Sequence, residues 1–522
     1  MKLLNDLLKS VLDADDYSFD MDTRQTFSSD VYSAGVLADA VVTPSDKQKC
    51  AEVVAVLTDA GYAIVTRGGG MSYTGGYLPQ QPKTVVIDVS KLNKIIEINA
   101  EDLYITVEAG VTWKSIYELL KPLGLRLPFF GTFSGSRATV GGGLSNGALF
   151  LGTARYGTAA DCMLGLEVIL ADGTLLPTGQ AAFKNSKKPF YRTYGPDISG
   201  LFVHDSGAFG IKVQATLRLI RTPQYSGYAS FVFDGMQAAG AALSEVARTG
   251  AAEEAYVFDP PSTRKNLISH GIISDTGFLL KVVRNERSIL RGAFEGFKLV
   301  LAGRKFLPKD GFALHIVCTG RTSQTLDTEL AACRAACLKF GGLEIPNSIP
   351  KTVRASLFPE LDSMLGPNGD RWAALNAKVA HSDASKIMKI CAEAIKPYEE
   401  QMKNHGVWMS HLLIAIGLNA FSFEPVFHWY DVWLPLHKKI PSSATLAKFP
   451  IPVDNPEARA LVAKLREILI AIFVDLGAAS NQIGKTYPYA QSLLPAPANL
   501  VTAIKKTLDT KGLMNPGGMG FS

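Results

Sequence analysis

Several widespread signatures are missing from this sequence of 522 residues, and each absence excludes a class of protein. The six cysteines are scattered without a C-x-x-C pair, which argues against a disulfide framework and against a structural zinc site. Basic residues exceed acidic residues by only five, and no basic block is interleaved with aromatics, so a nucleic-acid-binding role has little support. The cysteines, which we expect to be reduced, are Cys50, Cys162, Cys318, Cys333, Cys337 and Cys391.

A long hydrophobic run is also missing. The most apolar segment, Ile468–Val474, stops at Asp475 and is far shorter than the ~20 residues that span a membrane, so we expect a buried helix there. Residues 1–10 have apolar positions at helical spacing rather than the uninterrupted apolar stretch of a secretory signal. These features predict no membrane span and a cytoplasmic location.

Two glycine-rich segments are present. Arg67–Gly76 contains five glycines and follows the apolar run Tyr62–Val65, which predicts a strand that leads into a loop able to cradle phosphate. Ser134–Gly143 is a second such segment. Neither has the G-x-G-x-x-G spacing of a dinucleotide-binding βαβ unit or the Lys-Ser/Thr of a P-loop. Taken alone, the first segment would be better explained as an ordinary glycine-rich turn, because a lone glycine run is a weak signal.

The motifs together are more specific. The order RGGGMSYTGG, ATVGGG, RYGTAADCMLGLEVILADG, GAFGIKVQATLRL and a terminal NPGG resembles the vanillyl-alcohol oxidase or p-cresol methylhydroxylase superfamily of FAD-linked oxidoreductases. This resemblance implies an α+β fold, in which a two-part FAD-binding domain of the PCMH type carries a substrate-binding cap domain built on an antiparallel sheet. The corresponding ranges are 1–224 for the FAD-binding domain with its N-terminal helix, 225–445 for the cap, and 446–522 for a C-terminal segment that returns to the first domain.

The resemblance also implies which residues hold FAD. Many relatives link the flavin covalently to a histidine, either in the glycine loop, where this chain has Met71, or near Arg371–Ala374, which again lacks histidine. We therefore expect FAD to be bound non-covalently, although His381 lies a few residues further on. The implied cofactor-binding residues are Arg67, Gly68, Gly69, Gly70, Met71, Ser72, Ser136, Ala138, Thr139, Gly141, Gly142, Tyr156, Gly157, Gly210, Ile211 and Asn515.

The substrate signatures of two branches are both broken. Phenol-oxidising relatives carry an aspartate after the Tyr-Gly pair, where this chain has Thr158. Relatives that act on D-2-hydroxy acids carry a metal motif after a cap histidine, and His411 is not followed by that motif. The resemblance implies an enzyme that takes a hydride from the CH–OH carbon of a small aromatic alcohol or 2-hydroxy acid. Two alternatives stay open: oxidation of a para-substituted phenol at its benzylic carbon, and a flavoprotein subunit that works with a cytochrome.

Four residues are the catalytic candidates, namely His411, His428, Tyr430 and Lys485. Histidine suits a base because its unperturbed pKa is ~6.5, and a lysine near the flavin would hold an anionic substrate. Glu424 is a further polar candidate in the same segment as His428, but the pair lacks a third ligand, so we expect no metal. Each could instead be a residue whose hydrogen bonds are satisfied within the protein. The expected partners are a small-molecule substrate and an electron acceptor, which is oxygen, a cytochrome or a quinone-linked carrier; a homodimer stays open.

Overall fold

The computed structural model describes residues 2–263, 311–359, 361, 366 and 368–521. Its strands form three larger sheets and one two-stranded ribbon. The strands are β1 (Tyr17–Ser18), β2 (Ala40–Val42), β3 (Ala63–Arg67), β4 (Thr84–Asp88), β5 (Ile95–Asn99), β6 (Tyr104–Glu108), β7 (Leu125–Arg126), β8 (Met163–Ile169), β9 (Leu175–Pro177), β10 (Ile211–Arg218), β11 (Ile220–Arg221), β12 (Tyr225–Phe233), β13 (Ala252–Phe258), β14 (Phe312–Gly320), β15 (Leu343–Glu344), β16 (Asp370–Ala374), β17 (Ala377–Ala380), β18 (Trp408–Ile416) and β19 (Ala420–Tyr430).

The α-helices lie mainly between these strands. They are Lys2–Lys9, Met21–Phe27, Lys47–Asp59, Trp113–Leu120, Val140–Ser145, Thr153–Tyr156, Met236–Thr249, Ser323–Lys339, Ser348–Ala355, Ala384–Ile395, Glu399–Asn404, Pro435–Lys439, Ser443–Leu446, Pro456–Asp475, Tyr489–Ser492 and Pro495–Leu508. Short 3₁₀ turns are Ala14–Asp16, Lys121–Leu123, Ala159–Cys162, Gly179–Ala182, Ser199–Phe202, His381–Asp383, Lys396–Tyr398 and Gly518–Gly520.

The first sheet positions the first glycine segment. Its order is β1-β2-β4-β3, and β2, β4 and β3 run parallel. The helix Lys47–Asp59 makes the crossover from β2 to β3, and it begins after Asp46, whose side chain accepts a hydrogen bond from the backbone N–H of Lys49. Because every residue of β3 pairs with β4 and the strand is largely buried, its carboxyl end holds the following loop in place.

The second sheet is antiparallel, with the order β5-β6-β10-β8-β9. Its central strand is β10, in which the apolar Ile211 and Val213 are buried. Lys212 lies between them and is also buried. Ile211 and Val213 pack in the same apolar cluster as Ile64 and Ile87 of the first sheet. The two sheets thus share a core.

The third sheet is antiparallel and contains eight strands, in the order β15-β12-β14-β13-β18-β19-β16 with β17 also paired to β19. This confirms the antiparallel sheet predicted for the cap. One face is covered by helices, as the edge-to-face contact of Phe423 with Phe473 of the helix Pro456–Asp475 illustrates. The other face carries Leu412 and Ile414 of β18, which line a cavity shared with the glycine segments. Side-chain alternation along these strands therefore separates a structural face from a cavity face.

The C-terminal segment returns to the first sheet. The backbone N–H of Ile64 donates to the carbonyl of Leu513 at 2.8 Å, and the N–H of Asn515 donates to the carbonyl of Ile64 at 2.7 Å. The apolar run Ile468–Val474 lies in a helix, but only one side is buried, because Leu469 is fully buried whereas Val474 is 39% exposed. Over the described ranges, no helix has the length and apolar character needed to cross a membrane.

Candidate functional site

A cavity lies between the two glycine segments and the third sheet. Its walls include the backbone of Gly68–Ser72 on one side and of Gly141–Gly143 on the other. Ser206, Gly207 and Gly210–Lys212 line it near β10. The cavity is therefore built where three separate parts of the chain converge.

Two glycines are required by close approach of neighbouring backbone. A Cβ atom added to Gly69 would lie 2.0 Å from the carbonyl oxygen of Arg137, and one added to Gly68 would lie 2.2 Å from Oγ1 of Thr139. The Thr139 hydroxyl also accepts a hydrogen bond from the backbone N–H of Gly142 at 3.3 Å. The two segments thus touch through backbone and a capping hydroxyl, and their peptide groups line a cradle suited to phosphate.

Three asparagines place unpaired amide atoms at this cavity. The atoms Oδ1 of Asn146, Oδ1 of Asn376 and both amide atoms of Asn481 are buried without a hydrogen-bond partner, and all three residues line the cavity. Such atoms are costly to bury unless a ligand or water pairs with them. A large polar ligand that meets two glycine cradles and these amides, as FAD does, fits this donor and acceptor set.

Glu424 is the acidic residue of the cap sheet at the cavity. The residue is partly accessible, and it lines the cavity in the interior of the protein. Burial raises the pKa of Glu424 to about 7, and the hydrogen bond from Nδ2 of Asn376 at 3.3 Å opposes this rise. The same Nδ2 donates to Oγ of Ser422 at 2.8 Å, which fixes the amide, and Oδ1 of Asn376 has no hydrogen-bond partner within the protein.

The surroundings of Glu424 are mostly apolar. Trp372, Leu412, Ile414, Phe133 and Phe150 line the same cavity. The polar residues that line the cavity include Tyr73 and Gln482, whose Nε2 donates to the Tyr73 hydroxyl at 3.0 Å. Burial raises the pKa of Tyr73 well above its ordinary value, so this hydroxyl stays protonated. The site therefore combines one acid of near-neutral pKa with several apolar side chains.

One cation reaches the cavity among the described residues that line it. Lys212 is 4% exposed, and its Nζ donates to Oδ1 of Asp205 at 2.7 Å. The Asp205 carboxylate neutralises that charge. A second groove adjoins the cavity at Gly68. No histidine or cysteine occurs among the described residues that line the cavity or this groove.

The structure brings most of the predicted cofactor residues to the cavity. They are Gly68, Gly69, Gly70, Met71, Ser72, Ala138, Thr139, Gly141, Gly142, Gly210 and Ile211. Arg67 and Ser136 instead line the adjoining groove, which shares Gly68, Gly69 and Thr139 with the cavity. Arg67 donates to the backbone carbonyl of Thr26 at 2.9 Å and lies against the ring of Phe27.

Three predicted cofactor residues lie outside the cavity lining. Tyr156 ends the short helix Thr153–Tyr156 and faces the guanidinium of Arg126, 5.7 Å from the ring centroid, and Gly157 adjoins Asp161. Asn515 is buried, and its Nδ2 donates to the carbonyls of Gly76 at 2.7 Å and Ser206 at 2.5 Å. Asn515 thus joins two loops that form the cavity wall rather than facing the cavity itself.

His411 lies on the reverse face of β18. Its Nδ1 is 3.1 Å from Oδ2 of Asp259, and its ring stacks on Phe423, which belongs to the helix-covered face. Leu412 and Ile414 face the cavity instead, because side chains alternate along a strand. The interpretation of His411 as a substrate contact is corrected by this register.

His428 and Tyr430 also lie away from the cavity lining. His428 pairs across the sheet with Trp372 and Trp408, stacks on Trp408 at 3.8 Å, and has its Nε2 2.8 Å from Oγ of Ser410. Tyr430, two residues further along β19, is 55% exposed. Neither residue lines the cavity, although His428 pairs with Trp372, which does.

Lys485 does not face the cavity. Its Nζ donates to the backbone carbonyl of Leu78 at 2.6 Å, and its own N–H donates to the carbonyl of Thr74 at 2.9 Å. Burial lowers the pKa of Lys485 to about 7. The interpretation of Lys485 as an anion-holding residue is corrected: it fastens the last loop to the first glycine segment.

Within the described ranges, no group of three or more acidic, histidine or cysteine side chains could hold a metal ion.

Comparisons with known proteins agree with this geometry. Residues 38–179 match the family described as the FAD binding domain. The mitochondrial D-lactate dehydrogenase [cytochrome] 1 of Saccharomyces cerevisiae is 29% identical over 212 residues, which is 40% of this chain and 34% of that protein. The D-2-hydroxyglutarate dehydrogenase of Xanthomonas citri pv. viticola is 28% identical over 235 residues, 44% of this chain and 47% of that protein.

The fold extends over the whole chain. The crystal structure of p-cresol methylhydroxylase with substrate bound aligns with a TM-score of 0.75 at 19% identity and covers 100% of this chain and 98% of that chain. The curated relatives are matched over only a third to a half of their length. Residues 38–179 thus match an FAD-binding domain, and the chain shares the fold of p-cresol methylhydroxylase.

Proposed function

We propose that this protein is an FAD-dependent oxidoreductase that takes a hydride from the CH–OH carbon of a small aromatic alcohol, with Glu424 as the base. The observation that carries the proposal is the position of Glu424. Glu424 lies in the protein interior, lines the cavity between the glycine cradles, and has a pKa raised to about 7 by burial. A base with a pKa near the working pH is the best compromise between being ionised and accepting a proton.

The cofactor would be held by backbone rather than by charged side chains. The peptide groups of Gly68–Gly70 and Gly141–Gly143 would cradle the pyrophosphate, and Asn146 and Asn481 would pair their free amide atoms with it or with the ring system. FAD supplies a two-electron acceptor when it is bound. We expect it to be bound non-covalently, because the described lining offers Met71 and Trp372 but no histidine or cysteine.

The residues on the cap sheet would orient the substrate and remove its hydroxyl proton. Trp372, Leu412 and Ile414 offer apolar contacts for a ring, and Glu424 would accept the hydroxyl proton as the C–H bond breaks. Asn376 would hold the Glu424 carboxylate through Nδ2 and offer Oδ1 to a second polar group of the ligand. Enclosure by these side chains also excludes water from the reacting atoms.

The charge pattern favours an uncharged substrate. A carboxylate placed in this cavity would lie near the ionised Glu424, and Lys212 is already paired with Asp205. Burying an unpaired anion beside a like charge is unfavourable. A 2-hydroxy acid is the second candidate, because two relatives are named as D-lactate and D-2-hydroxyglutarate dehydrogenases, although the matched stretch covers less than half of either.

Anaerobic reduction of the bound flavin by matched substrate pairs tests the proposal. Benzylic alcohols, the corresponding 2-hydroxy acids and para-alkyl phenols are mixed with the yellow protein, and the loss of flavin absorbance is followed. We expect the neutral alcohols to reduce the flavin fastest. Faster reduction by the acids would favour the second candidate, and no reduction by any of the panel would contradict an enzymatic role for this cavity. Flavin that stays in the pellet after acid precipitation would contradict non-covalent binding.

A further inference from the structure

An exposed loop on the FAD-binding domain carries an unusual surface. Residues 183–198 connect two short 3₁₀ turns, Gly179–Ala182 and Ser199–Phe202, and contain no helix or strand. We call this segment the aromatic loop. Four of the six exposed aromatic side chains in the described part of the chain lie in it, the other two being Trp408 and Tyr430. The loop contributes Phe183 (40% exposed), Phe190 (53%), Tyr191 (53%) and Tyr194 (75%).

The same loop is basic. It contains four cations and a single acid, so its formal net charge is +3; the charged residues are Lys184, Lys187, Lys188, Arg192 and Asp197. Two of the cations are partly neutralised, because Lys188 bonds to Asp102 and Arg192 lies 2.9 Å from Asp197. Lys184 and Lys187 are exposed and form no ion pair with any described residue. Aromatic rings and unpaired cations are thus presented together.

The base of the loop is held, so its side chains point outward from a fixed support. The backbone N–H of Gln180 donates to the carbonyl of Tyr191 at 2.9 Å, and the guanidinium of Arg192 donates to the carbonyl of Ala160 at 2.8 Å. Phe183 and Tyr194 lie with ring centroids 5.3 Å apart. No described part of the chain covers these rings. Their exposure to water is unfavourable, because aromatic side chains are usually buried.

We propose that the aromatic loop is a peripheral docking surface for a membrane leaflet that contains anionic phospholipids. Aromatic rings partition into the headgroup region, where one end of each ring is wet and the other apolar. Unpaired lysines add electrostatic attraction to anionic headgroups. The net charge of +3 on the loop is complementary to such a leaflet, and the anionic lipids of a cell face the cytoplasm, where we expect this protein.

This orientation has a consequence for the cavity. The loop leads directly through Ser199–Phe202 to Ser206 and Gly207, which line the cavity. Docking through the loop would therefore bring the FAD-binding domain, rather than the helix-covered face of the cap, toward the leaflet. An apolar substrate or acceptor dissolved in the bilayer would then be concentrated near the protein. The docking itself does not depend on the proposed reaction.

Vesicle sedimentation of the full-length, flavin-loaded protein tests this proposal. Vesicles of phosphatidylcholine are compared with vesicles that also contain phosphatidylglycerol, at low and at high salt. We expect binding to the anionic vesicles that weakens as salt rises, since the Debye length shortens. Replacing both free lysines, Lys184→Gln with Lys187→Gln, should weaken the partition coefficient roughly 30-fold, the effect of two lysines near a charged leaflet.

Matched controls separate docking from general surface effects. The pair Lys438→Gln with Lys448→Gln removes the same charge from exposed positions elsewhere, and Ile451→Ser with Val453→Ser removes apolar surface that is 82% and 83% exposed. Both should bind within about twofold of the wild type, since substitutions away from a binding surface have small effects. Phe190→Ser with Tyr191→Ser should abolish most vesicle binding and leave flavin absorbance and the unfolding temperature unchanged.

Three results would overturn the proposal. The first is failure of the wild type to bind anionic vesicles at low salt. The second is equal loss in the loop and control variants. The third is a dimer in light scattering that Phe190→Ser with Tyr191→Ser converts to monomer while vesicle binding is absent, which would assign the loop to a second copy of this chain instead.

Discussion

The glycine segments and the cap sheet build the two halves of one cavity by different means. The glycine half presents peptide groups, and its shape depends on side chains that are missing, as at Gly69, where a Cβ would meet the Arg137 carbonyl at 2.0 Å. The cap half presents side chains from alternate positions of two strands, among them Glu424 and Leu412. Backbone binding suits a cofactor common to many proteins, whereas side chains on a sheet face can change without disturbing the fold. The comparison therefore separates cofactor binding from substrate chemistry.

The largest effect is expected in the glycine half. Gly69→Val would place branched carbon atoms against the Arg137 carbonyl, so the two segments should separate and flavin should be lost almost completely. Flavin content per protein, measured by absorbance after purification, checks this. Gly235→Val is the control, because a Cβ at Gly235 meets nothing within 4 Å. Circular dichroism must show both variants folded, and full flavin content in a folded Gly69→Val would make the segment an ordinary turn.

In the cap half, Glu424→Gln should spare the flavin and slow its reduction. Loss of a positioned general base typically costs roughly 10²–10⁴ in rate, so the limiting rate of anaerobic reduction should fall by that factor. His411→Gln is the matched control, since His411 lies on the reverse face beside Asp259. Its reduction rate should stay close to that of the wild type. Similar losses in the two variants would contradict the assignment of the two strand faces.

The same substitution should stabilise the protein at high pH. The pKa of Glu424 is raised from 4.5 to about 7, so folding favours its protonated form: the stability that this provides is present below pH 4.5 and is lost as pH rises through 7. Glutamine stays neutral, and it should therefore gain about 3 kcal/mol over the wild type well above pH 7. Thermal unfolding of the flavin-loaded proteins at pH 5 and at pH 8.5 measures this. If the variant unfolded at a higher temperature than the wild type at pH 5 but not at pH 8.5, the stability difference would have the opposite pH dependence and the prediction would be wrong.

The smallest effect on substrate choice is expected at Lys485. Its Nζ donates to the Leu78 carbonyl and the residue does not line the cavity, so Lys485→Met should leave the choice between an acid and an alcohol unchanged. The reduction rates for a matched acid and alcohol should change by the same factor. A loss of rate for the acid alone would show that Lys485 contacts the substrate, and it would contradict the assignment of Lys485 to a position outside the cavity.

The sequence predicted the glycine half well and the cap half poorly, for a physical reason. A glycine that allows close approach is visible in the sequence itself, and ordered motifs led to the FAD-binding domain now matched over residues 38–179. In the cap, the apolar positions Phe421, Phe423 and Phe427 predict a strand, but alternation alone does not tell which face is covered by helices. His411 and Glu424 were both visible as polar residues on strands. Only the packing of Phe423 on Phe473 assigns them to opposite faces.

Asn376 and Asn481 could not have been singled out from the sequence either. Their importance rests on amide atoms left without partners at the cavity, which depends on long-range contacts such as the bond from the Asn376 N–H to the Tyr487 hydroxyl at 2.7 Å. Tyr156 and Gly157 show the opposite error. Their motif is intact, yet the short helix Thr153–Tyr156 points the ring at Arg126 and away from the cavity.

The pH dependence of the limiting rate of anaerobic flavin reduction tests the central claim, that Glu424 is the base, most directly. With a neutral aromatic alcohol, the wild-type rate should fall tenfold per pH unit below about pH 7, because Glu424 must be ionised to accept the proton. The hydrogen bond from Asn376 lowers the pKa of Glu424, so in Asn376→Ala the fall in rate at low pH should begin at a higher pH. In Glu424→Gln the rate should no longer depend on pH in this range. A wild-type rate that is constant through pH 7, or the same fall in rate below pH 7 in Glu424→Gln, would contradict the account.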